Sequence, residues 1–274
     1  MTAVCDALHV PRAGFYAWRQ ETSSARNARD LELLPLVSDV FWQHKRRYGA
    51  RRIAVELAAR GEACGVDRVA KLLKMQGLKA IQPKSFVPKT TQSRHTLGYS
   101  PNLLLQAPPP SRIDEVWVGD ITYVPLSSGA FLYLALLMDL FSRRVLGWDL
   151  AAQMTEPLVL EALQQAIRLR QPAAGVVHHS DRGGQYAGRQ YRAVLRRAQM
   201  QQSMSRAGEC YDNAFMESCF GTIKTELEMT EYENMLQART EIASYLTYYN
   251  VERRHSSLGY FSPCQFETLQ ARPN

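Results

Sequence analysis

The stretch from residue 115 to residue 154 constrains the fold of this chain more than any other part of its sequence. It contains three runs that are rich in β-branched and aromatic residues, EVWVGDITYVPL, FLYLALLMDLF and RVLGWDLAAQM. Short turns separate the runs, the first around Gly129 and the second at Ser142 and Arg143. Such runs favour β-strands, and turns this short join neighbouring strands that run in opposite directions. We therefore predict an antiparallel three-stranded meander.

The order of the elements after the meander narrows the fold class. A helical pattern capped by Thr155 runs through LVLEALQQAIRLR, and a short strand, GVVHHSD, follows it. Next come a helix (QYRAVLRRAQ), a short strand (MQQSMS), a long helix (NAFMESCFGTIKTELEM) and a last helix (MLQARTEIASYLTYYN). This is the element order of the ribonuclease-H-like fold. The predicted class is α/β, with a mixed sheet flanked by helices over residues 112–274 and a helical tail at its end.

The N-terminal part has a helical pattern instead. Apolar residues recur at helical spacing through residues 30–60, and the helix VDRVAKLLKMQGL follows a glycine-containing turn. Two short helices around such a turn predict a helix-turn-helix at about residues 49–77, within a helical region of residues 1–79. A plain helical hairpin, which occurs in many proteins that never contact DNA, fits the same pattern.

Positive charge is concentrated in this N-terminal part. Residues 1–110 contain 17 Lys and Arg against 8 Asp and Glu, a net of +9, whereas residues 111–274 contain 16 against 18, a net of −2. Residues 80–111 are rich in proline and carry basic side chains, a composition that predicts an extended linker. A basic surface attracts polyanions because each phosphate that it neutralises releases counterions, although a solvated surface without a ligand has the same composition.

We predict DNA as the partner of this basic region. In a helix-turn-helix, the second helix enters the major groove, and basic side chains around it contact phosphates and bases. The residues that we expect to contact DNA are Arg51, Arg52, Arg68, Lys71 and Lys74.

Neither a membrane nor an oxidising compartment is indicated. The longest unbroken apolar run, Ala130 to Met138, has nine residues, whereas about 20 are needed to span a bilayer. The five cysteines are odd in number and never spaced as CxxC, which argues against a disulfide framework and a zinc ribbon. We expect a cytoplasmic protein with reduced cysteines.

Three acidic residues lie in the predicted strands and in the long helix, at positions from which their side chains could form one site. Asp120 lies in the middle of the first strand, Asp181 ends the fourth, and Glu217 lies on the long helix. Carboxylates bind Mg²⁺, and two such ions about 3.5–4 Å apart support phosphoryl transfer. Taken singly, each residue is more simply explained as a strand edge, a turn or a solvated surface acid.

The spacing of these acids carries a family resemblance. Sixty residues separate Asp120 from Asp181, and 35 separate Asp181 from Glu217. Around them, VWVGDITYV, LMDLFSRRVLGW, HHSDRGGQY, DNAFMESCFGTIKTEL and YYNVERRHSSLGYFSP closely resemble the D-D-35-E catalytic core shared by retroviral integrases and bacterial insertion-sequence transposases. The resemblance is closest to the second-frame (OrfB) products of the IS-three family, and YGARRIAVEL resembles that family's helix-turn-helix. It covers nearly the whole chain.

The resemblance implies a bacterial transposase that cuts DNA at the ends of an insertion sequence and joins the freed 3′-hydroxyl to a target. It implies that Asp120, Asp181 and Glu217 are the catalytic residues and bind two Mg²⁺ ions, which Mn²⁺ can replace. It also implies that Lys224, two helical turns after Glu217, contacts the terminal DNA.

Two further residues are predicted to support the site. His179 would position a phosphate or order Asp181, and Asn213 stands at the start of the long helix, where it is better suited to capping than to binding metal.

The same resemblance predicts the partners. A homo-oligomer is expected in the working complex, because two DNA ends must be brought together, and the protein would associate with the nucleoid when bound to DNA. An upstream first-frame product, joined by frameshifting, is expected to supply further end recognition. Two alternatives stay open, namely a ribonuclease-H-like nuclease that only hydrolyses and a DNA-binding regulator with an inactive core.

Overall fold

The computed structural model describes residues 2–7, 9–19, 25–82, 98–206, 214–228 and 231–271. The chain divides into two compact units, Met1–Ile81 and Gln82–Asn274. The N-terminal unit is helical, with α1 (Thr2–Ala7), α2 (Arg12–Arg19), α3 (Ala25–Gln43), α4 (Ala50–Ala59) and α5 (Val66–Met75).

Helices α3, α4 and α5 pack around a common apolar core, because each carries buried residues at helical spacing. Between α4 and α5, Gly61 adopts a left-handed conformation with φ of +84°, which a glycine tolerates without strain. The predicted pair of short helices around a glycine-containing turn is thus confirmed. The buried side chains of this core include Leu33, Val37, Phe41, Ile53, Leu57, Val69 and Leu72.

The C-terminal unit is built on a five-stranded mixed sheet in the order β3-β2-β1-β4-β5. Strands β1, β2 and β3 are antiparallel, whereas β4 pairs in parallel with β1, and β5 in parallel with β4. The predicted meander and the α/β class are confirmed. The strands are β1 (Val116–Pro125), β2 (Phe131–Asp139), β3 (Val145–Ala151), β4 (Val177–Ser180) and β5 (Gln201–Met204).

Helices cover both faces of this sheet. Successive residues of a strand point to opposite faces, so Val118 packs with α9 and α10, while Trp117 packs with α6 and α8. Helix α6 lies unusually close to β3, since a Cβ added at Gly147 would come within 2.1 Å of the Ala162 carbonyl oxygen. The helices are α6 (Glu156–Arg170), α7 (Gly184–Ala187), α8 (Arg189–Arg197), α9 (Ala214–Glu226), α10 (Met235–Val251) and α11 (Pro263–Gln270).

The last part of the expected linker packs on the edge of this sheet. The Met204 amide donates to the Pro101 carbonyl at 3.3 Å, and the Leu103 amide donates to Ser203 Oγ at 2.9 Å. This segment covers β5, whose outer edge would otherwise expose unpaired backbone groups. The C-terminal unit therefore includes residues ahead of position 112, the boundary expected from the sequence.

The predicted helical tail is held by a buried acid. In α11, which begins with a capping box at Ser262, Glu267 Oε1 accepts a hydrogen bond from Ser142 Oγ at 2.7 Å, and Oε2 accepts one from Arg144 at 2.6 Å. Arg170, at the end of α6, also binds Glu267. Burial raises the pKa of Glu267, but the hydrogen bonds from Arg170, Ser142 and Arg144 outweigh it and hold the pKa below its usual value.

The described cysteines Cys5, Cys64, Cys219 and Cys264 are free thiols, in line with the expectation of reduced packing residues. Among the described residues, no helix is both long and apolar enough to cross a membrane.

The buried acid predicts an effect on stability. Replacing Glu267 by Gln should lower the free energy of unfolding by about 3 kcal/mol at pH 7, because the partly buried Arg144 loses its partner carboxylate and Arg170 keeps only Asp114, at 3.4 Å. Since the folded pKa is depressed, this contribution is present above the unfolded pKa of about 4.3 and is lost as the pH falls through the folded pKa. Urea unfolding of both proteins at pH 7 and pH 3.5 would measure it.

Glu161→Gln is the matched control. Glu161 pairs with Arg168 at 3.0 Å, but both side chains are largely exposed, so the loss should stay below about 1 kcal/mol. Equal losses in the two variants, or a Glu267→Gln loss that does not shrink in acid, would contradict the assigned role.

Candidate active site

The parallel pairing of β1 and β4 brings the two predicted aspartates together. The register matches Val118 with His179, and its continuation by two residues places Asp120 beside Asp181. The sequence predicted that Asp181 ends the fourth strand. Strand β4 ends one residue earlier, at Ser180, so Asp181 is the first residue of the following turn. Both carboxylates line the same pocket, together with Ile121, Tyr123, Met154, Gln185 and Tyr186.

Backbone amides hold each aspartate in place. Asp120 Oδ1 accepts a hydrogen bond from the Ile121 amide at 2.7 Å, and Asp181 Oδ1 accepts one from the Gly183 amide at 2.9 Å. The turn at Gly183 is tight, because a Cβ added there would lie 3.0 Å from Asp181 Oδ1 and 2.9 Å from Gln185 Oε1. A glycine at this position therefore lets the chain fold closely around the carboxylate.

Helix α9 brings the third acid. Met216, Cys219 and Phe220 are buried against the sheet, which fixes how the helix is rotated. Glu217 lies in the first turn of α9 and is exposed, while Lys224 is half-buried two turns later.

The charges of these side chains act on one another. Burial raises the pKa of Asp120 well above its usual value, and the nearby carboxylates of Asp181 and Glu217 raise it further, whereas the Ile121 amide and Lys224 lower it. Burial lowers the pKa of Lys224, against the effect of Asp120. The four residues singled out in the sequence therefore lie within electrostatic range of one another.

The acids suit a hard cation by their chemistry, since carboxylate oxygens are the ligands that Mg²⁺ prefers and their mutual repulsion falls when a cation binds. Within the described part of the chain, however, no three potential ligands are close enough to hold an ion together. The pocket thus presents two of the three carboxylates, Asp120 and Asp181, and Glu217 stands outside its lining.

The two adjacent histidines of β4 point to opposite faces of the sheet, as successive residues of a strand do. His179 is buried on the same face as Asp120, and its ring nitrogens contact Ser203 Oγ at 2.8 Å and Ser205 Oγ at 3.2 Å. His178 faces the other side, where Nε2 lies 2.8 Å from the Tyr191 hydroxyl. Burial lowers the pKa of His178 to about 3, and the charge of His179 adds to this effect, so His178 is neutral at pH 7. Asn213 lies outside the described residues.

Asp139, at the end of β2, binds backbone amides. Its carboxylate accepts hydrogen bonds from the amides of Asp114, Phe141 and Ser142 at 2.7–3.0 Å, and it is fully buried. Asp139 thus ties the turn after β2 to the segment that precedes β1.

The basic residues expected to contact DNA fall into two groups. Arg68 and Lys71 bind the buried Asp30 of α3, at 2.6 and 3.0 Å, and these contacts lower the pKa of Asp30. Arg51 and Lys74 are exposed.

Arg52 is half-buried and belongs to neither group. Its guanidinium lies 5.5 Å from the Tyr48 ring centroid and contacts the Arg47 carbonyl at 3.5 Å.

The other residues of the pocket were not identified from the sequence. Tyr123 carried a signal, since it follows Asp120 by three residues in an aromatic strand. Met154 and Gln185 carried no such signal, because only tertiary folding brings the segment before α6 next to α7.

Known protein families match most of the chain. Models described as integrase core domain match residues 110–210 and 198–263, and an HTH-like domain matches residues 28–86. The chain is similar to an insertion element IS600 uncharacterized 31 kDa protein of Shigella sonnei, with 40% identity over 265 residues that cover 96% of this chain and 97% of that protein.

It is also similar to the transposase InsF for insertion sequence IS3A of Escherichia coli (strain K12), with 40% identity over 271 residues, 97% of this chain and 93% of the relative. Among solved structures, a cryoEM structure of a simian T-cell lymphotropic virus intasome in complex with PP2A regulatory subunit B56 gamma shares the fold. The TM-score is 0.50 at 15% identity, over 87% of this chain and 75% of that one. With an HTH-like domain followed by an integrase core domain, this chain belongs to the family of IS3 insertion-sequence transposases.

Proposed function

We propose that the C-terminal unit cuts DNA strands at the ends of an insertion sequence and joins them to a target, with Asp120, Asp181 and Glu217 as the catalytic, metal-binding carboxylates. The observation that carries this proposal is the parallel register of β1 and β4, which places Asp120 beside Asp181 in one pocket. Burial raises the pKa of Asp120, and the carboxylates of Asp181 and Glu217 raise it further. Negative charges gathered in this way repel one another unless a cation offsets them.

The proposed cation is Mg²⁺, as two ions, for which Mn²⁺ can substitute. When bound, such ions activate the attacking oxygen and stabilise the leaving one. The chain's own part is to hold the ligands: amides of Ile121 and Gly183 fix the two aspartates, and the exposed Glu217 side chain moves to complete the set. Lys224, half-buried and close to Asp120, contacts a phosphate of the terminal DNA.

His179 and Asn213 are proposed to support the site indirectly. Ser205, which contacts His179, also donates its backbone amide to the Ser180 carbonyl at 2.9 Å, one residue before Asp181. His179 therefore orders the end of β4 rather than contacting substrate. Asn213 is proposed to cap α9, which carries Glu217.

The N-terminal unit is proposed to bind DNA through its basic residues. Because Arg68 and Lys71 neutralise Asp30, the exposed Arg51 and Lys74 are the stronger candidates for phosphate contacts. Arg52 is a further candidate. The working complex is proposed to contain at least two copies of the chain, since two DNA ends must meet, and an upstream first-frame product is proposed to act as a fusion partner.

The catalytic assignment can be tested on a branched DNA that mimics an element end already joined to its target. We expect the purified chain to resolve this junction with Mg²⁺ or Mn²⁺. Asp120→Asn, Asp181→Asn and Glu217→Gln should each reduce the rate at least about 100-fold, because each removes charge from the metal site. Gel electrophoresis of labelled strands measures the rate, and filter binding should show DNA affinity within about threefold of wild type.

Glu241→Gln, which removes one exposed carboxylate from α10, is the control and should keep the wild-type rate. A triad variant that resolves the junction at the wild-type rate would refute the assignment. Hydrolysis without any joined product would favour the nuclease that only hydrolyses, and activity that does not depend on metal would favour a regulator with an inactive core.

The DNA-binding proposal can be tested by salt dependence. Arg51→Gln and Lys74→Gln should each weaken duplex binding and reduce the slope of log affinity against log salt by about 1, because each removes one phosphate contact. Their melting temperatures should stay unchanged. Arg68→Gln is the comparison: it should lower the melting temperature, since a buried carboxylate loses a partner. An unchanged salt slope in both Arg51→Gln and Lys74→Gln would overturn the proposal.

A further inference from the structure

Three aromatic rings form a cluster on the hairpin of β1 and β2, which we call the hairpin cluster: Tyr123, Phe131 and Tyr133. Tyr123 and Tyr133 are directly opposite in the strand register, with ring centroids 5.3 Å apart. The Phe131 ring meets Tyr123 edge-on at 6.0 Å. Tyr123 is 41% exposed and Phe131 is 54% exposed, so the cluster presents aromatic surface to solvent.

Tyr123 differs from its two neighbours because it lines the pocket of the aspartates. Strand β1 continues to Pro125, whereas its pairing with β4 ends at Val118. The edge of β1 beyond Asp120 borders this pocket until Pro125, whose carbonyl accepts a hydrogen bond from the Tyr232 amide at 3.2 Å. Asp120 and Tyr123 are three residues apart in β1, so their side chains leave the strand on opposite faces of the sheet, and both border the pocket at this edge.

Two further lining residues come from other parts of the chain. Met154 precedes α6, and Gln185 lies in α7. Gln185 Nε2 donates to the Met154 carbonyl at 2.9 Å, which ties α7 to the segment before α6. The lining of the pocket thus combines the carboxylates Asp120 and Asp181 with uncharged residues.

Stabilisation of the hairpin accounts for only part of this arrangement. Cross-strand aromatic pairs stabilise antiparallel strands, and this is a sufficient reason for Tyr133 and Phe131. It does not account for a large ring that stays partly exposed in the wall of an active-site pocket. Aromatic rings exposed beside phosphate-binding centres commonly stack on nucleobases, because every base has a flat π-face.

We propose that Tyr123 is a stacking surface for an unpaired nucleobase of the DNA strand, next to the phosphate held at the carboxylates. This inference rests on the proposed function and adds a binding subsite to it. A base suits the Tyr123 ring because it is planar and carries no charge, whereas a phosphate beside Tyr123 would be repelled by the nearby carboxylates of Asp120 and Asp181. Tyr123 is thus a positioning residue, which tolerates any base sequence and holds the strand in register.

The test uses the full chain and a branched oligonucleotide that carries 2-aminopurine, in turn, at each of the four nucleotides beside the junction. Stacking on an aromatic ring quenches this fluorescent base, and Ca²⁺ in place of Mg²⁺ allows binding to be followed without chemistry. We expect wild type and Tyr123→Phe to quench the probe at one position. Tyr123→Ala should lose the quench and bind about 5- to 150-fold more weakly.

Phe131→Ala is the matched control, because it removes a ring of the same cluster that does not line the pocket. It should keep both the quench and the affinity. An abasic nucleotide at the quenched position provides a second test: on that DNA, Tyr123→Ala should bind as wild type does, because the base that the ring would contact is already gone.

Three results would overturn the inference: an unchanged quench in Tyr123→Ala, equal losses in Tyr123→Ala and Phe131→Ala, or a loss in Tyr123→Phe as large as that in Tyr123→Ala. Junction resolution by the wild type separates this inference from the proposed function. Normal metal-dependent resolution without a Tyr123-dependent quench removes the stacking subsite alone. A Tyr123-dependent quench without any metal-dependent resolution keeps the subsite and removes the catalytic proposal.

Discussion

The parallel pairing of β1 with β4 is the constraint on which the candidate site depends. It sets Val118 against His179 and thereby brings Asp120 and Asp181 side by side, although 60 residues lie between them in the sequence. The short length of β4 matters equally, since β1 runs past its end and leaves a pocket there. A longer β4 would pair with this edge and close the space in which a substrate could meet both carboxylates.

A second constraint holds the helix that carries the third acid. At the end of α9, Glu226 forms a buried ion pair with Arg253, with a closest distance of 2.6 Å, and also accepts a hydrogen bond from Tyr245 of α10 at 3.1 Å. Burial opposes the charge on Arg253, but the bonds to Glu226 outweigh it and raise the Arg253 pKa. A paired buried charge tolerates few alternative arrangements, which favours one fixed position for α9. Glu217 and Lys224 thus stand on a helix anchored at the end opposite to Glu217.

The helical unit shows what a count of charged residues can and cannot predict. The excess of basic residues correctly drew attention to this part of the chain, and an HTH-like domain matches it. Charge counting could not distinguish Arg68 and Lys71, which bind Asp30 of α3, from Arg51 and Lys74, which do not take part in that ion pair. The partner Asp30 lies 38 residues before Arg68, and only the packing of α3 against α5 makes the two neighbours.

The sequence by itself determined the class of fold, the order of its elements and the family. These follow from local signals, since β-branched runs, helical periodicity and turn residues act over a few positions, and the three acids stand at a spacing that can be counted. Only the tertiary structure decided which basic side chains already bind a carboxylate. It also decided that Glu267 joins the C-terminal helix to α6, and that Tyr123, Met154 and Gln185 share a pocket with the aspartates. These relations join residues distant along the chain, and they arise from the packing of strands and helices, which no local pattern encodes.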